Sequence, residues 1–292
     1  MVDPARRNLI ASALVGGALA ATAAAAPAAA QTATQAAAPN RRRFEGQVVA
    51  ITGATSGIGR AAAEAFVREG AMVGFCGRRE ALGREVEAAL NANGGQALYI
   101  RADVRDAAQV QRFVDGVAER FGRLDIGVNN AGINWFKPLH EISLEEWDEM
   151  QETNFRGVFS AMKYQIPHML RAGGGKIVIT SSLHELATRP GGAAYASSKR
   201  ALMGLCQAAA MDYGTQGIRV NMVAPGIINT RLFTERNRTP QQQEAAAQTV
   251  DGLKRIGTPE DMAGVILFLA SDDCPYLTGA SLLADGGVMS GI

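Results

Sequence analysis

The fold of this chain is decided by residues 48–66, VVAITGATSGIGRAAAEAF. The apolar run Val48-Val49-Ala50-Ile51 is typical of a buried strand, and the alanine-rich end of the stretch is typical of a helix. Between them, the glycines at positions 53, 57 and 59 would let the backbone turn tightly and approach a pyrophosphate, whose charge the N–H groups at the helix N-terminus would meet. Strand, glycine turn and helix in this order predict the first unit of a dinucleotide-binding α/β domain.

Strand and helix patterns alternate through the rest of the sequence. Apolar runs 71–76, 98–100, 124–128, 176–180 and 218–223 alternate with stretches such as 107–121 and 144–170, in which apolar residues recur three and four apart. The pattern predicts α/β architecture: a three-layer, doubly wound parallel sheet in a single domain, residues 44–292. A domain of this length can bury a large core.

Three short motifs carry a family resemblance. They are TGATSGIG at 52–59, NNAG at 129–132 and YASSK at 195–199. In this order the chain resembles the short-chain dehydrogenase/reductase family, over residues from about Phe44 to Gly287. The resemblance implies a Rossmann fold and a nicotinamide-dependent oxidoreductase that interconverts an alcohol and a carbonyl.

The resemblance implies four catalytic residues: Asn154, Ser182, Tyr195 and Lys199. Ser182 would hydrogen-bond the substrate oxygen, and Tyr195 would be the proton donor or base. A free tyrosine titrates about three units too high for an efficient base at neutral pH, so a nearby positive charge is needed, and Lys199 lies one helical turn along. Asn154 matches the family's asparagine that holds a proton-relay water.

The expected cofactor is NADP, with NAD as the alternative. Arg78 stands at the end of the second strand, where an acid would hold the ribose hydroxyls of NAD and an arginine can pair with the 2′-phosphate of NADP. The alternative interpretation is that Arg78 and Arg79 begin a solvated helix face. The glycine loop and the family pattern together give the cofactor-binding set: Gly53, Thr55, Ser56, Gly57, Ile58, Gly59, Arg78, Asp103, Val104, Asn130, Ala131, Gly132, Tyr195, Lys199, Pro225, Gly226, Ile228 and Thr230.

The substrate expectation rests on a narrower resemblance, to the glucose 1-dehydrogenase and 3-oxoacyl reductase-like branch. It is carried by residues 181–185, 228–230, 276–279 and 284–287. His184 and Glu185 would bond sugar hydroxyls, so a sugar or polyol is the first candidate. The alternative for His184 is that it only packs or caps at the loop. A 3-oxoacyl, steroid or cyclic-alcohol substrate would share every cofactor motif, and a non-catalytic dinucleotide-binding regulator is the alternative of another class. Residues 231–250 are interpreted as either a lid or a pair of surface helices.

Composition limits the partners. The net charge of +1 and 20% charged residues leave no electrostatic signature of nucleic-acid binding. The three histidines are far apart and lack a metal-ligand pattern, and the three cysteines lie in apolar contexts, so neither a metal site nor a disulfide is expected. The family resemblance implies a homotetramer or homodimer.

Residues 1–30 have the layout of an export signal. Arg6 and Arg7 precede an alanine-rich apolar run and a small-residue cleavage site after Ala30, which indicates the twin-arginine route. The run is mostly Ala and Gly, so stable membrane insertion is not expected. Residues 31–43 would be a flexible linker, and the protein would be periplasmic if the signal is used and cytoplasmic otherwise.

Overall fold

A seven-stranded parallel sheet forms the centre of the protein. The computed structural model describes residues 42–92, 94–234 and 239–291. The spatial strand order is β3-β2-β1-β4-β5-β6-β7, and each neighbouring pair is parallel. The strands are β1 Val48–Thr52, β2 Met72–Gly77, β3 Gln96–Arg101, β4 Ile126–Asn129, β5 Gly175–Thr180, β6 Ile218–Pro225 and β7 Ser281–Ala284.

Helices cover both faces of this sheet. They are α1 Gly57–Arg68, α2 Glu80–Ala92, α3 Ala107–Phe121, α4 Leu144–Gln151, α5 Gly157–Arg171, α6 Ala193–Tyr213, α7 Arg231–Thr234, α8 Pro240–Gln248 and α9 Pro259–Ala270. Local sequence sets several of their ends. Ser143 and Thr258 each form a capping box with the acid three residues later, and Gly122 ends α3 in the left-handed conformation, with φ of 80°.

The apolar core is divided into two layers by the sheet. Alternate residues of β1 point to opposite faces: Val49 and Ile51 pack in the layer of α1 and α9, whereas Val48 and Ala50 pack in the layer of α3, α5 and α6. All five residues of β1 are buried, as expected for a parallel sheet covered on both sides. The predicted three-layer, doubly wound domain is confirmed.

One predicted helix differs from the sequence pattern. The periodicity of residues 144–170 predicts a continuous helix, but a π-helical turn at Glu152–Arg156 separates α4 from α5. A π turn holds one extra residue, so it shifts the helix face that packs on the sheet. Here it buries Thr153 and Asn154 next to the strand ends.

The carboxyl ends of the strands meet at one edge of the sheet. Ligands of open α/β sheets bind in the crevice outside these ends, where the strand order reverses on the two sides of β1. Residues 1–41, with the predicted export signal and most of the linker, lie outside the described part of the chain. Within the described part, none of the helices is long and apolar enough to cross a membrane.

Candidate active site

The glycine loop packs against two other predicted motifs. Gly53 has φ of 72°, and a Cβ there would lie 2.7 Å from Ala131 Cα. Gly57 has φ of 58°, and its Cβ would lie 3.3 Å from Thr230 Cγ2. Residues with side chains rarely adopt such φ angles, so glycine is required here by backbone conformation as well as by space. The loop, the 129–132 motif and the segment after β6 therefore form one wall.

Asn130 fixes the backbone of this wall. Its Nδ2 donates to the carbonyl of Gly53 at 3.1 Å, and its own N–H donates to Thr52 Oγ1 at 3.0 Å. Gly59 lies at the same junction, because a Cβ there would be 2.6 Å from Asn130 Nδ2 and 2.5 Å from Gly53 O. Asn130 and Gly59 thus position the turn that faces the crevice.

A cavity of about 680 Å³ runs along the strand ends. Of the catalytic and cofactor-binding residues predicted from sequence, Gly59 and Asn154 do not line it. The others do, and the structure brings them together on one continuous surface: Gly53, Thr55, Ser56, Gly57, Ile58, Arg78, Asp103, Val104, Asn130, Ala131, Gly132, Ser182, Tyr195, Lys199, Pro225, Gly226, Ile228 and Thr230.

Ser182, Tyr195 and Lys199 converge from β5 and α6. Ser182 follows β5, and its Oγ accepts a hydrogen bond from the N–H of His184 at 3.2 Å. A hydroxyl that accepts in this way still has its own proton to donate. Tyr195 and Lys199 lie one turn apart on α6, with Lys199 Nζ 5.9 Å from the centre of the Tyr195 ring. The ammonium charge is therefore close to the phenol.

Lys199 is almost completely buried, at the wall of the cavity. Its side chain is 4% exposed, and Nζ donates to the carbonyl of Thr180 at 2.9 Å. Burial lowers the pKa of Lys199 from 10.5 to about 8, although the negative charge of Glu185 acts in the opposite direction. The ammonium form predominates at neutral pH but is easier to deprotonate than an exposed lysine.

Asn154 lies behind the cavity, in the π turn. Its Oδ1 accepts from the N–H of Ile133 at 2.8 Å, and its Nδ2 donates to the carbonyl of Ile133 at 2.9 Å and to Ser198 Oγ at 3.1 Å. Ser198 Oγ in turn donates to the carbonyl of Tyr195 at 2.7 Å. The side chain of Asn154 thus joins the loop after β4 to the first turn of α6.

Three buried hydroxyls in the cavity wall fit a polar ligand. Thr153 Oγ1, Thr180 Oγ1 and Ser181 Oγ are buried, and none has a hydrogen-bond partner among the described residues. Buried polar groups are normally paired, and leaving one unpaired costs about 1–3 kcal/mol. A ligand rich in hydroxyl, amide and phosphate groups would satisfy them, which is the chemistry of a dinucleotide.

Arginines mark the β2 and β3 end of the cavity. Arg79, which sequence reasoning did not place in the site, donates to Thr55 Oγ1 at 2.8 Å and to Ser56 Oγ at 2.7 Å. Arg78 is 51% exposed, and its Nη1 is 3.9 Å from Asp103 Oδ2. Burial opposes ionisation of Asp103, but hydrogen bonds and charge from Arg105 outweigh it and hold the pKa of Asp103 below its ordinary value. At this end Arg78 and Arg79 line the cavity, and the ionised Asp103 is paired with Arg105.

An aromatic cluster lines the opposite end, beside Tyr195. The Phe136 ring lies 5.4 Å from the His184 ring and 6.0 Å from the Tyr195 ring, and His184 meets Tyr195 edge-on at 5.3 Å. Arg189 stacks on Phe136, with Cζ 3.8 Å from the ring centre. Sequence reasoning missed the roles of Phe136 and Arg189, because only the tertiary fold brings the loops after β4 and β5 together. Glu185 does not line the cavity.

Described residues of the 231–250 segment form part of the cavity wall. Its described residues form the short helix α7 and the helix α8, and residues 235–238 lie outside the described part. Side chains from both helices line the cavity, namely Arg231, Leu232, Phe233, Gln242, Ala245 and Ala246. The described part of the segment is therefore helical, as in the interpretation as a pair of helices, and the lid interpretation stays a prediction.

Comparison with known proteins places this arrangement in a family. A family model described as enoyl-(acyl carrier protein) reductase matches residues 53–289. The chain is 39% identical to the 3-oxoacyl-(acyl-carrier-protein) reductase of Thermotoga maritima, over 85% of this chain and 99% of that protein. It is 38% identical to the 7alpha-hydroxysteroid dehydrogenase of Clostridium sardiniense, over 86% and 96%.

A solved structure agrees with the sequence comparison. The crystal structure of levodione reductase superposes with a TM-score of 0.81 at 33% identity, covering 86% of this chain and 100% of that one. Family membership implies a nicotinamide dinucleotide cofactor and an oxidoreductase that acts on hydroxyl or carbonyl groups. The chain belongs to the short-chain dehydrogenase/reductase family.

Proposed function

We propose that this protein is a reversible NADP-dependent alcohol dehydrogenase or carbonyl reductase. In the reducing direction a ketone, NADPH and a proton give an alcohol and NADP⁺. The observation that carries the proposal is the convergence of Ser182, Tyr195 and Lys199 in one cavity with the glycine loop. The bound cofactor would supply or accept the hydride at the substrate carbon.

The proton chemistry belongs to residues of this chain. Ser182 Oγ would donate a hydrogen bond to the carbonyl oxygen, and the Tyr195 hydroxyl would deliver the proton to that oxygen as the alcohol forms. In the oxidising direction Tyr195 takes the proton back. The Lys199 ammonium favours the tyrosinate by charge, since an opposite charge nearby lowers the pKa of an acid. Asn154 would contribute by positioning Ile133 and the first turn of α6.

The cofactor preference is assigned to NADP through the arginine pair. A 2′-phosphate at the end of β2 would meet Arg78 and Arg79 as well as the Thr55 and Ser56 hydroxyls that Arg79 already contacts. A guanidinium can bond phosphate oxygens with two parallel N–H groups, which supplies both charge and geometry. No acidic side chain follows β2 directly to hold the ribose hydroxyls of NAD, since the next acid is Glu80.

The substrate half of the cavity favours a cyclic or otherwise apolar alcohol or ketone. Phe136 and His184 lie beside the Tyr195 ring, and Leu183, Leu232 and Phe233 also line the cavity. Relatives that are named for hydroxysteroid and levodione substrates are consistent with such a pocket. A sugar or polyol is the second candidate, and His184 supports it as a polar group within reach of hydroxyls. Its other expected partner, Glu185, is outside the cavity wall.

Export and assembly are part of the same proposal. If residues 1–30 direct twin-arginine export, the folded domain would cross the membrane with its cofactor bound, because dinucleotides are scarce outside the cytoplasm. Cell fractionation that finds an uncleaved, wholly cytoplasmic protein would exclude this.

We also propose a homotetramer or homodimer assembled through the helices around Asn154 and Tyr195, on which Phe159 is 48% exposed.

A Tyr195→Phe variant tests the proposed reaction. Removal of one general acid typically costs about 10²- to 10⁴-fold in rate, so turnover of a cyclic ketone with NADPH should fall by this factor. Cofactor affinity, measured by nicotinamide fluorescence, should stay within a few-fold because the glycine loop is unchanged. If the variant reduces the ketone as fast as the wild type, Tyr195 is not the acid. If neither protein turns over any substrate but both bind NADPH, the regulator interpretation is favoured.

A further inference from the structure

A pair of amide side chains is buried between β4 and α5. Asn129 Nδ2 donates to Gln165 Oε1 at 3.1 Å, and Gln165 Nε2 donates to Asn129 Oδ1 at 3.1 Å. Both residues are 0% exposed. A buried amide that loses its partner is costly, whereas replacing both partners by apolar groups of the same shape is often close to neutral. Stability alone is therefore a weak reason for two amides at this place.

The strand leaves room for the Gln165 amide. A Cβ at Gly127 would lie 2.5 Å from Gln165 Oε1 and 2.9 Å from Gln165 Nε2, so a side chain there would displace the amide. Alternate residues of a strand point to the same side. Gly127 and Asn129 accordingly face α5, while Val128 between them packs in the layer of α1 and α9. The glycine and the two amides form one close contact at the end of β4.

The next residue of the chain reaches the glycine loop. Asn130 Nδ2 donates to the carbonyl of Gly53 at 3.1 Å. The N–H groups of Asn130 and Ala131 donate to Thr52 Oγ1 at 3.0 and 3.1 Å. Because consecutive strand residues point to opposite sides, an Asn129 side chain held against α5 directs Asn130 toward the loop.

A second amide holds the other end of the same segment. The side chain of Asn154 bonds the N–H and the carbonyl of Ile133 at 2.8 and 2.9 Å. Gln165 follows Asn154 by eleven residues, about three helical turns, so both side chains reach the same side of the helix. Segment 129–133 is thus held at both ends from the π turn and α5, and its contacts with β1 lie between these two points.

We propose that Gln165 is a positioning residue for the cofactor site: its reciprocal amide pair with Asn129 directs Asn130 and thereby sets the backbone of the glycine loop. This inference rests on the proposed function, since the loop is taken to bind the dinucleotide. Gln165 itself does not line the cavity. Paired hydrogen bonds specify one orientation of the strand end, which apolar contacts of the same volume do not.

Two variants separate positioning from stability. Q165M keeps the length of the side chain without the amide, and N129L/Q165M removes both amides. Each should raise the Kd for NADPH, measured by nicotinamide fluorescence, by roughly tenfold, while kcat at saturating NADPH stays within a few-fold. The double variant leaves no amide unpaired, so its urea midpoint should be close to that of the wild type. Weak binding by a stable protein is a result that a merely structural role would not give. If Q165M does not fold, the double variant decides.

Hydrogen exchange gives a readout without cofactor. The N–H groups of Asn130 and Ala131 should exchange roughly tenfold faster in both variants, because their bonds to Thr52 open more often, and the amides between β2 and β3 should be unchanged. I166V removes one methyl group from the next residue of α5, so this control should keep the wild-type Kd and exchange rates.

The outcomes distinguish this inference from the proposed function. Wild-type affinity for NADPH in the stable double variant, or unchanged exchange at 130–131, would overturn the inference and leave the oxidoreductase intact. If the wild type binds neither NADPH nor NADH, the proposed function fails. Hydrogen exchange then decides alone: faster exchange at 130–131 supports the role of Gln165 in setting this backbone, and equal exchange rejects it.

Discussion

Lys199 illustrates how a single residue is defined by its surroundings. The YASSK spacing places it one turn from Tyr195, but only the fold encloses it under Thr180 and Gly132. Nζ donates to the Thr180 carbonyl at 2.9 Å, and a Cβ added at Gly132 would lie 3.7 Å from it. Enclosure of an ammonium costs solvation energy, and the lowered pKa of Lys199 is the measure of this cost. In the proposed reaction, this buried charge would lie beside the tyrosine that transfers the proton.

The buried ammonium predicts a pH dependence of stability. Between about pH 8 and pH 10.5, Lys199 is protonated in the unfolded chain but deprotonated in the folded chain. The free energy of unfolding should therefore rise with pH in this range. The slope from this residue is roughly 1.4 kcal/mol per pH unit. Lys199→Met lacks the titrating group. Urea unfolding at several pH values should therefore show the wild type gaining stability relative to the variant as the pH rises.

The comparison with the variant is needed because two buried thiols also affect the pH dependence of stability in this pH range. Burial raises the pKa of Cys76 and Cys206 from 9.0 to about 12, so their contribution to stability falls with pH above 9.0. Both proteins contain these thiols, so the difference between them reports Lys199. A difference that is constant with pH would show that Lys199 keeps an ordinary pKa in the folded protein.

Two neighbouring arginines give a prediction on cofactor choice. Arg79 contacts the Thr55 and Ser56 hydroxyls of the glycine loop, whereas Arg78 is half exposed beside Asp103. We expect R79Q to raise KM for NADPH by roughly tenfold or more and to change KM for NADH little, because a charged hydrogen bond to phosphate is lost. R78Q should have a smaller effect. If R78Q is the more damaging variant, Arg78 is the main phosphate ligand, and equal loss with both cofactors would reject NADP selectivity.

Residues in contiguous motifs were predictable, and residues in separate loops were not. The glycine loop, YASSK and NNAG can be recognised from sequence, because the residues of each motif are close together along the chain. Arg78 and Arg79 are neighbours in sequence, but the side chain of Arg79 points toward the glycine loop and that of Arg78 toward Asp103. The sequence contains no clear signal for this difference in direction. Phe136 and Arg189 meet only because Gly191 lets two loops approach closely.

At the scale of elements, the packing of α3 on the sheet depends on a glycine in β2. A Cβ added at Gly74 would meet Val117 of α3, with Cγ1 at 2.6 Å and Cβ at 2.9 Å. Overpacking of a core contact typically costs about 1–3 kcal/mol, because backbone or side chain must shift. The strand and the helix therefore approach more closely than two side chains would allow.

Gly74→Ala tests this contact, with Gly264→Ala as the matched control. Gly264 is exposed on α9, and a Cβ there would meet nothing within 4 Å. Gly74→Ala should destabilise by about 1–3 kcal/mol, whereas Gly264→Ala should stabilise by up to about 1 kcal/mol through helix propensity. Urea unfolding measures both. If the two variants have the same stability, the close packing of β2 on α3 is not as described.

The spacing of apolar residues did not predict the break between α4 and α5. Residues 144–170 keep apolar spacing of three and four, yet the π turn at Glu152–Arg156 interrupts them. The bonds from Asn154 to the backbone of Ile133, at 2.8 and 2.9 Å, hold this turn in place. These are long-range contacts, so the local pattern cannot reveal them. Strand and helix order, in contrast, follows from local composition and was predicted.

For the whole molecule, the strand order determines where chemistry can occur. β1 lies between β2 and β4, so the glycine loop after β1 is adjacent both to the arginine pair after β2 and to NNAG after β4. The cavity therefore extends from Asp103 after β3 to the segment after β6. The sequence predicted this architecture because parallel sheets with one reversal point form few topologies. The shape of the substrate end was not predictable, since it depends on how loops of different length meet.

The most direct test of the account is the initial rate of NADPH consumption, read at the absorbance band of reduced nicotinamide, for purified protein with cyclic ketones and with the keto forms of polyols. We predict a rate that saturates with ketone, that is higher with NADPH than with NADH, and that reverses when NADP⁺ is supplied with the corresponding alcohol. Tight binding of NADPH with no consumption across both substrate classes would contradict the assignment of this cavity as an active site.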